Sequence, residues 1–337
     1  MMKSEFLRFF SKKPKSDQAR LKGRADLLEY VFRDQGVHGR IKDAVSGPLL
    51  DLFNFEPDAG TTPKNIFDIV TTNDGSARIL PVAGYIQIYL PKSNRRTVLF
   101  EELLKSRIFK KYRAALPVAT GVDVLGKMCV QDLSEMGNIL IDGGLGTGKT
   151  NLIISMLLSL AMCKDTTEVT FVLIDTMDEY SSISRLPHLS KRITDDDYVD
   201  SLQEILNIVN SRISDKGSIN PVMVLVLDRI TDLTPETLQV LRNILQRGPD
   251  VGVYCIATGN KTVELSENLQ ACFDTRFVFN LVESELQQIL GADANALTLL
   301  SYGDAVYSIK SEEPIRIHTP YVAEDVAVRI INLLANN

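Results

Sequence analysis

The chain has 337 residues, 45% of them hydrophobic and 24% charged, with a formal net charge of −6. At roughly 100 to 200 residues per domain this is material for two folded units, and the 20 glycines and 13 prolines are too ordinary a share for a fibrous repeat, a disulfide scaffold or long disorder. The longest apolar stretch, Leu152 to Met162, includes Ser155 and Ser159 and falls short of the roughly 18 to 20 residues that cross a bilayer.

Residues 1–24 read as a basic tail, in which Lys3, Arg8, Lys12, Lys13, Lys15, Arg20, Lys22 and Arg24 are opposed only by Glu5 and Asp17. Phe6, Phe9 and Phe10 would suit a helix seeking a membrane surface or a partner; a frayed, solvated terminus is the blander reading. A cleavable signal peptide is disfavoured, because the apolar region is short and the charges follow it. Ala25 to Phe32 reads as a helix, and Gly36 to Phe55 alternates apolar and polar residues around turn signals at Gly39 and Gly47-Pro48, as strands do. A strand over Tyr85 to Leu90, a basic turn and an amphipathic helix over Phe100 to Phe109 complete a small α+β domain of residues 25–115.

From residue 116 to 337 strands and helices alternate. Strands are expected at Asn138–Ile141, Val169–Asp175, Val222–Asp228, Val251–Ala257 and Thr275–Asn280, and helices at Lys149–Cys163, Asp196–Ser214 and Pro235–Arg247. That order predicts an α/β domain with a parallel sheet and helices on both faces.

Gly143-Gly144-Leu145-Gly146-Thr147-Gly148-Lys149-Thr150 satisfies GxxxxGK[ST] between a predicted strand and a predicted helix, the context this phosphate-binding loop requires. Its glycines let consecutive backbone N–H groups point at phosphate oxygens, and the helix that continues through Asn151 adds its positive end. Lys149 would neutralise the β and γ phosphates of ATP, and the Thr150 hydroxyl would ligate Mg²⁺. Asp228, at the tip of an apolar strand, is the second metal-holding candidate; Asp175 is a further strand-tip carboxylate. Either position also suits an Asp that caps a turn. Next to Asp228, where many such ATPases carry a water-polarising Glu, stands Arg229, a cation that cannot accept the water's proton. Asp178, Glu179 and Asp232 are the alternative acceptors. Cys129, Cys163, Cys255 and Cys272, like His38, His188 and His318, are scattered without metal-ligand spacing, so the expectation is reduced, buried thiols in a cytoplasmic protein.

Several segments together resemble the motor of the FtsK/SpoIIIE family of bacterial DNA translocases. Leu90 to Val98 is similar to that family's LPNxxRxTV turn, and Thr120 to Lys127, with Asp132-Leu133 and Met136, to the stretch that leads into its phosphate loop. Beyond the loop, Ile174-Asp175, Leu186-Pro187-His188-Leu189, Leu227-Asp228 with Asp232-Leu233, Ala257-Thr258, Thr275-Arg276, Gly303-Asp304 and Pro314 to His318 find counterparts in order. The resemblance implies a RecA-like P-loop NTPase domain over residues 116–337 behind a domain like the family's α domain, assembled as a homo-oligomeric ring, a hexamer, around double-stranded DNA and driven by ATP with Mg²⁺. It also implies a trans-acting arginine finger, for which Arg247 stands nearest the right place and Arg242 next. Membrane or division-machinery partners would be met by the basic tail, and DNA by loops such as Ser184-Arg185 and Lys261. Three positions depart from the family: Arg229 at the Walker B Glu, Gly259 at the sensor Gln and Gln287 at an Arg. They open a second reading, a ring subunit that binds nucleotide without useful hydrolysis; a protein-secretion ATPase of the type VII kind is a third.

Overall fold

The structure, a computed structural model, describes residues 16–59, 66, 68–70, 77–82, 84–92, 95–194, 198–215, 219–260, 262–281, 283–290, 299, 302–310 and 314–336. These fall into two compact units, one of residues up to Thr97 with Val122–Lys127, the other holding the remainder from Val98 onward. Among the described residues no helix is long and apolar enough to cross a membrane.

The first unit is a helix, α1 (Ser16–Asp34), against a four-stranded antiparallel sheet of β1 (Gly39–Ser46), β2 (Leu50–Pro57), β3 (Arg78–Val82) and β4 (Tyr85–Pro91) in the order β1-β2-β4-β3. Ile86, Ile88 and Leu90 alternate with half-exposed neighbours along β4, so one face meets Phe32, Phe53 and Phe55 in the core. The helix begins at Ser16, inside the expected tail, and carries two of its basic residues inward. Arg20 and Arg24 both reach the buried Asp51, Arg20 at 2.9 Å to Oδ1 and Arg24 at 2.6 Å to Oδ2, while Ser46 Oγ donates to Oδ1 at 2.9 Å. Burial pushes the Asp51 pKa up, but the hydrogen bonds from Arg20, Ser46 and Arg24 outweigh it and hold it below the usual carboxylate range. Asp51 therefore stabilises this unit above the pKa it has in the unfolded chain, and the contribution is lost as pH falls through the lowered folded value. Asp51→Ala is expected to cost about 2 kcal/mol, less than the roughly 3 to 5 of breaking a fully buried pair because the arginines remain partly exposed. Urea unfolding at pH 7 and pH 3 checks this, the difference between wild type and variant shrinking at the lower pH.

In the second unit α2 (Phe100–Lys105) and α3 (Arg107–Lys111) replace the single helix expected over Phe100 to Phe109. Ser106, extended at ψ 149°, interrupts it, and its Oγ accepts from Phe109 N–H at 3.0 Å as the cap of the new helix. Then follow β5 (Pro117–Asp123), β6 (Met128–Asp132), α4 (Leu133–Met136), β7 (Ile139–Asp142), α5 (Lys149–Cys163), β8 (Val169–Ile174), β9 (Leu189–Ile193), α6 (Tyr198–Asp215) and β10 (Val222–Leu227). The chain continues through α7 (Pro235–Arg247), β11 (Val253–Gly259), α8 (Glu267–Gln270), β12 (Thr275–Val278), α9 (Glu283–Leu290), β13 (Asp304–Ile309), β14 (Ile315–His318) and α10 (Glu324–Ala335).

The ten strands form one sheet in the order β6-β5-β14-β13-β12-β7-β11-β10-β8-β9. From β12 to β9 the pairing is parallel, and β13 pairs antiparallel with both β12 and β14. This is the fold of a RecA-like P-loop NTPase, mixed α/β with a largely parallel sheet. The runs Val169–Ile174 and Val222–Leu227 are apolar almost throughout because both of their faces are covered. Parallel pairing also brings the carboxyl ends of β7, β11, β10 and β8 to one edge, so that Asp142, Gly259, Asp228 and Asp175 lie along it. Of the four cysteines Cys255 is buried on β11 and Cys163 is exposed, against the expectation that all would be enclosed.

Candidate nucleotide site

The loop from Gly143 to Gly148 joins β7 to α5 at that edge. Two of its glycines stand where a side chain would not fit. A Cβ at Gly143 would stand 2.7 Å from Phe279 Cβ and 2.8 Å from Thr147 Oγ1, and Gly148, at φ 118°, lies against the Cα of Gly303. Thr147 ties the loop to itself, its Oγ1 donating to Gly144 O at 2.9 Å, and Gly303 N–H donates to Thr147 O at 2.8 Å. Leu145 stands exposed at the apex, and Asn151 accepts from Val322 N–H at 2.9 Å, which anchors the first turn of α5. That turn has no acidic residue, so its free N–H groups are open to an anion.

Lys149 folds back over the loop, its Nζ donating to Gly143 O at 2.6 Å, Gly144 O at 2.9 Å and Asn260 Oδ1 at 3.2 Å. Burial draws its pKa down, and Asp228, Glu179 and Asp142 push back without fully restoring it. Thr150 donates its hydroxyl to Glu179 Oε2 at 2.8 Å. Asp228, just past β10, accepts from Thr258 Oγ1 at 2.6 Å, and burial, reinforced by Glu179 and Asp175, raises its pKa although the Thr258 bond pulls the other way. Lys149 and Thr150 from the start of α5 and Asp228 from the end of β10 are thus brought to one edge, and Glu179 joins them from the turn after β8.

The other sequence candidates separate clearly. Asp175 caps a turn: its carboxylate accepts from Glu179 N–H at 2.8 Å and Tyr180 N–H at 3.1 Å, and pairs with Arg192 at 2.6 Å. Asp178 is also paired with Arg192, and Asp232 stands 3.4 Å from Arg229. Of the three proposed water-activating carboxylates only Glu179 bonds to a loop residue. Arg247 is not at the loop. It closes α7 beside the start of β11, at the opposite edge of the sheet, and donates to Asn210 Oδ1 at 2.7 Å. Of the loosely proposed DNA contacts, Arg185 is exposed and Lys261 lies outside the described residues; nothing is described of the Gln287 side chain.

Arg229 takes a left-handed backbone, φ 58°, which costs a residue other than glycine about 1 to 2 kcal/mol. Thr258 supports it, its Oγ1 accepting from Arg229 N–H at 3.0 Å while donating to Asp228. Sequence reasoning assigned no role to Thr258, Tyr180, Asp142 or Asn260. Tyr180 is fully buried among Thr150 and the carboxylates, and burial holds its phenol well above the ordinary value. Asp142 had a legible signal, a carboxylate ending an apolar strand one residue before the loop; Asn260 had only its position one residue past β11.

The donor set suits a nucleotide with a hard divalent cation: loop N–H groups and an ammonium for phosphate, a hydroxyl and two carboxylates for the metal. The FtsK/SpoIIIE family profile matches residues 100–267. A DNA translocase FtsK of Agrobacterium fabrum is 27% identical over 378 residues, covering 93% of this chain and 42% of its own, and that of Pasteurella multocida is 24% identical over 365 residues, covering 90% and 39%. The chain belongs to the FtsK/SpoIIIE family. It spans about two fifths of the length of these relatives. Among solved structures, the pCW3 conjugation coupling protein TcpA, determined with ATPγS, superposes with a TM-score of 0.60 at 13% identity over 92% of this chain and 99% of its own. The cytoplasmic domain of the Thermomonospora curvata type VII secretion ATPase EccC gives 0.60 at 21% identity over 72% and 35%. At these identities the two structures share the fold. Membership of this family of P-loop ATPases implies nucleotide binding.

Proposed function

We propose that the chain is the motor portion of an ATP-driven double-stranded DNA translocase, working as a homo-oligomeric ring. The observation that carries the reading is the joint placement of Lys149, Thr150, Asp228 and Glu179 around the phosphate loop, in a chain aligned over nine tenths of its length with DNA translocases.

In this reading residues 143–151 cradle the phosphates of ATP through backbone N–H groups, and Lys149 exchanges its carbonyl partners for β and γ phosphate oxygens. Thr150 and Asp228 hold Mg²⁺, which screens phosphate charge and draws electrons from the terminal phosphoryl group. Glu179 takes the place left by Arg229: it accepts a proton from the water that attacks the γ phosphorus as the bond to the β–γ bridging oxygen breaks. Arg247, set at the far edge of the sheet, serves a neighbouring subunit's site. Its distance from the subunit's own loop, about 20 Å by the rise of a six-residue strand, supports a role in trans. Contacts with DNA run to the phosphate backbone from a basic bore, which a net charge of −6 spread over the outer surface permits.

The test is steady-state ATP hydrolysis at protein concentrations that allow rings to form, with and without linear duplex DNA. Stimulation by DNA is the expected result; nucleotide binding without turnover in either condition would instead establish a non-hydrolysing ring subunit, the reading that Arg229 favours. DNA affinity, followed by fluorescence anisotropy, is expected to fall about a hundredfold or more between about 50 and 200 mM salt as counterions are released. An interaction that ignores salt would contradict backbone binding.

A further inference from the structure

Just past the end of β11, Asn260 and Thr262 meet residues at the root of the phosphate loop. Thr262 and Asp142 are each only 1% exposed, and the Thr262 hydroxyl donates to Asp142. Arg276 closes the cluster, with Nε 3.2 Å from Asp142 Oδ2 and a terminal nitrogen 3.3 Å from Thr262 Oγ1. Asp142 is the last residue of β7 and is joined directly to Gly143 of the phosphate loop. The turn after β11 is therefore pinned to the root of the loop.

This anchoring decides which side chain faces the loop. At Gly259 a Cβ would lie 2.4 Å from Thr262 Cγ2, so the position is closed to any side chain while Thr262 holds its place. One residue on, Asn260 presents its carboxamide to Lys149 at 3.2 Å. An ammonium only donates, so the atom facing it is the carbonyl oxygen, and both N–H donors of the amide are directed elsewhere. Resting on the nucleotide reading above, we infer that Asn260 senses the terminal phosphate: as Lys149 leaves the loop carbonyls for the nucleotide, the neighbouring amide donates a hydrogen bond to a γ-phosphate oxygen. Thr262, Asp142 and Arg276 act as positioning residues for that contact. The family's glutamine function is thereby displaced by one residue, from 259 to 260, in a turn that Thr262 has drawn inward.

A group that touches only the γ phosphate separates triphosphate from diphosphate. Calorimetry with ATPγS and with ADP, each with Mg²⁺, measures the separation. Asn260→Ala is expected to weaken ATPγS about tenfold or more, as for a hydrogen bond to a charged group, and to leave ADP within about twofold. Thr262→Val is expected to move the same ratio in the same direction. Adding Gly259→Gln and Thr262→Ser to Asn260→Ala removes the blocking methyl, keeps the hydroxyl for Asp142 and is expected to restore the ratio. An unchanged ratio in Asn260→Ala, or equal losses for both nucleotides, overturns the inference while leaving nucleotide binding intact. A wild-type chain that binds neither nucleotide overturns the underlying reading and the inference together.

Discussion

Lys149→Ala is expected to abolish nucleotide binding, with ATPγS affinity falling beyond about a hundredfold by calorimetry and the far-UV circular dichroism unchanged. The size follows from what surrounds the ammonium. Asp228, Glu179 and Asp142 act on Lys149 together, and Arg229 opposes them. With Lys149 gone, a triphosphate would enter a half-buried pocket whose nearest charges are carboxylates, so the variant loses an attraction and exposes a repulsion at once. Unchanged binding would mean that the loop is not the site. The pH dependence adds a second check. Burial lowers the Lys149 pKa, so as pH rises the wild type loses its ammonium, and with it affinity, earlier than an exposed lysine would. On the acid side Asp228, raised by burial, takes up its proton before an exposed aspartate does, and Mg²⁺-dependent affinity falls there. The alkaline limb is expected to vanish in Lys149→Ala, while any residual binding keeps the acid limb.

Much of this site was legible from the chain alone, for physical reasons that also explain the gaps. The helix over Lys149–Cys163 has the expected bounds because a glycine-rich loop opens it and polar residues resume directly after Cys163. Pro235–Arg247 is equally sharp, since Thr234 caps it, accepting from Thr237 N–H at 3.3 Å, and Pro235 fits its first turn. β9, by contrast, is a short edge strand containing Ser190, Lys191 and Arg192, and its apolar pattern is too weak to announce it. β13 pairs antiparallel with both β12 and β14 inside a sheet whose sequence rhythm predicted only parallel neighbours. Within the site, the motif fixed Lys149 and Thr150 because its spacing is local. Glu179 was one of three open candidates, since its approach to Thr150 depends on how Asp175 folds the turn after β8. Asn260 was invisible for a similar reason: its direction is set by a buried cluster drawn from three elements far apart in sequence.

Glu179→Gln is expected to lower kcat about 10² to 10⁴-fold, the usual worth of a positioned general base, while ATPγS affinity changes little. The substitution keeps the size of the side chain and an oxygen for the Thr150 hydroxyl, so binding and turnover are separated by the proton alone. Arg229 makes the experiment decisive. Its guanidinium lies 3.4 Å from Asp232 and is a permanent cation, so it contributes no base. Arg229→Glu returns a carboxylate to the residue after Asp228, and in the Glu179→Gln background it is expected to recover at least tenfold of the lost turnover. Its release of Asp232 does not confound the result, because Asp232 can be changed to Asn in the same background. If Glu179→Gln turns over like wild type, the water is activated elsewhere, and Asp232 becomes the next carboxylate to neutralise. If both single variants and the double fall together with ATPγS affinity, Glu179 serves chiefly to hold Mg²⁺ beside Thr150. The ratio of kcat to affinity therefore distinguishes a base from a metal ligand at the same 2.8 Å contact.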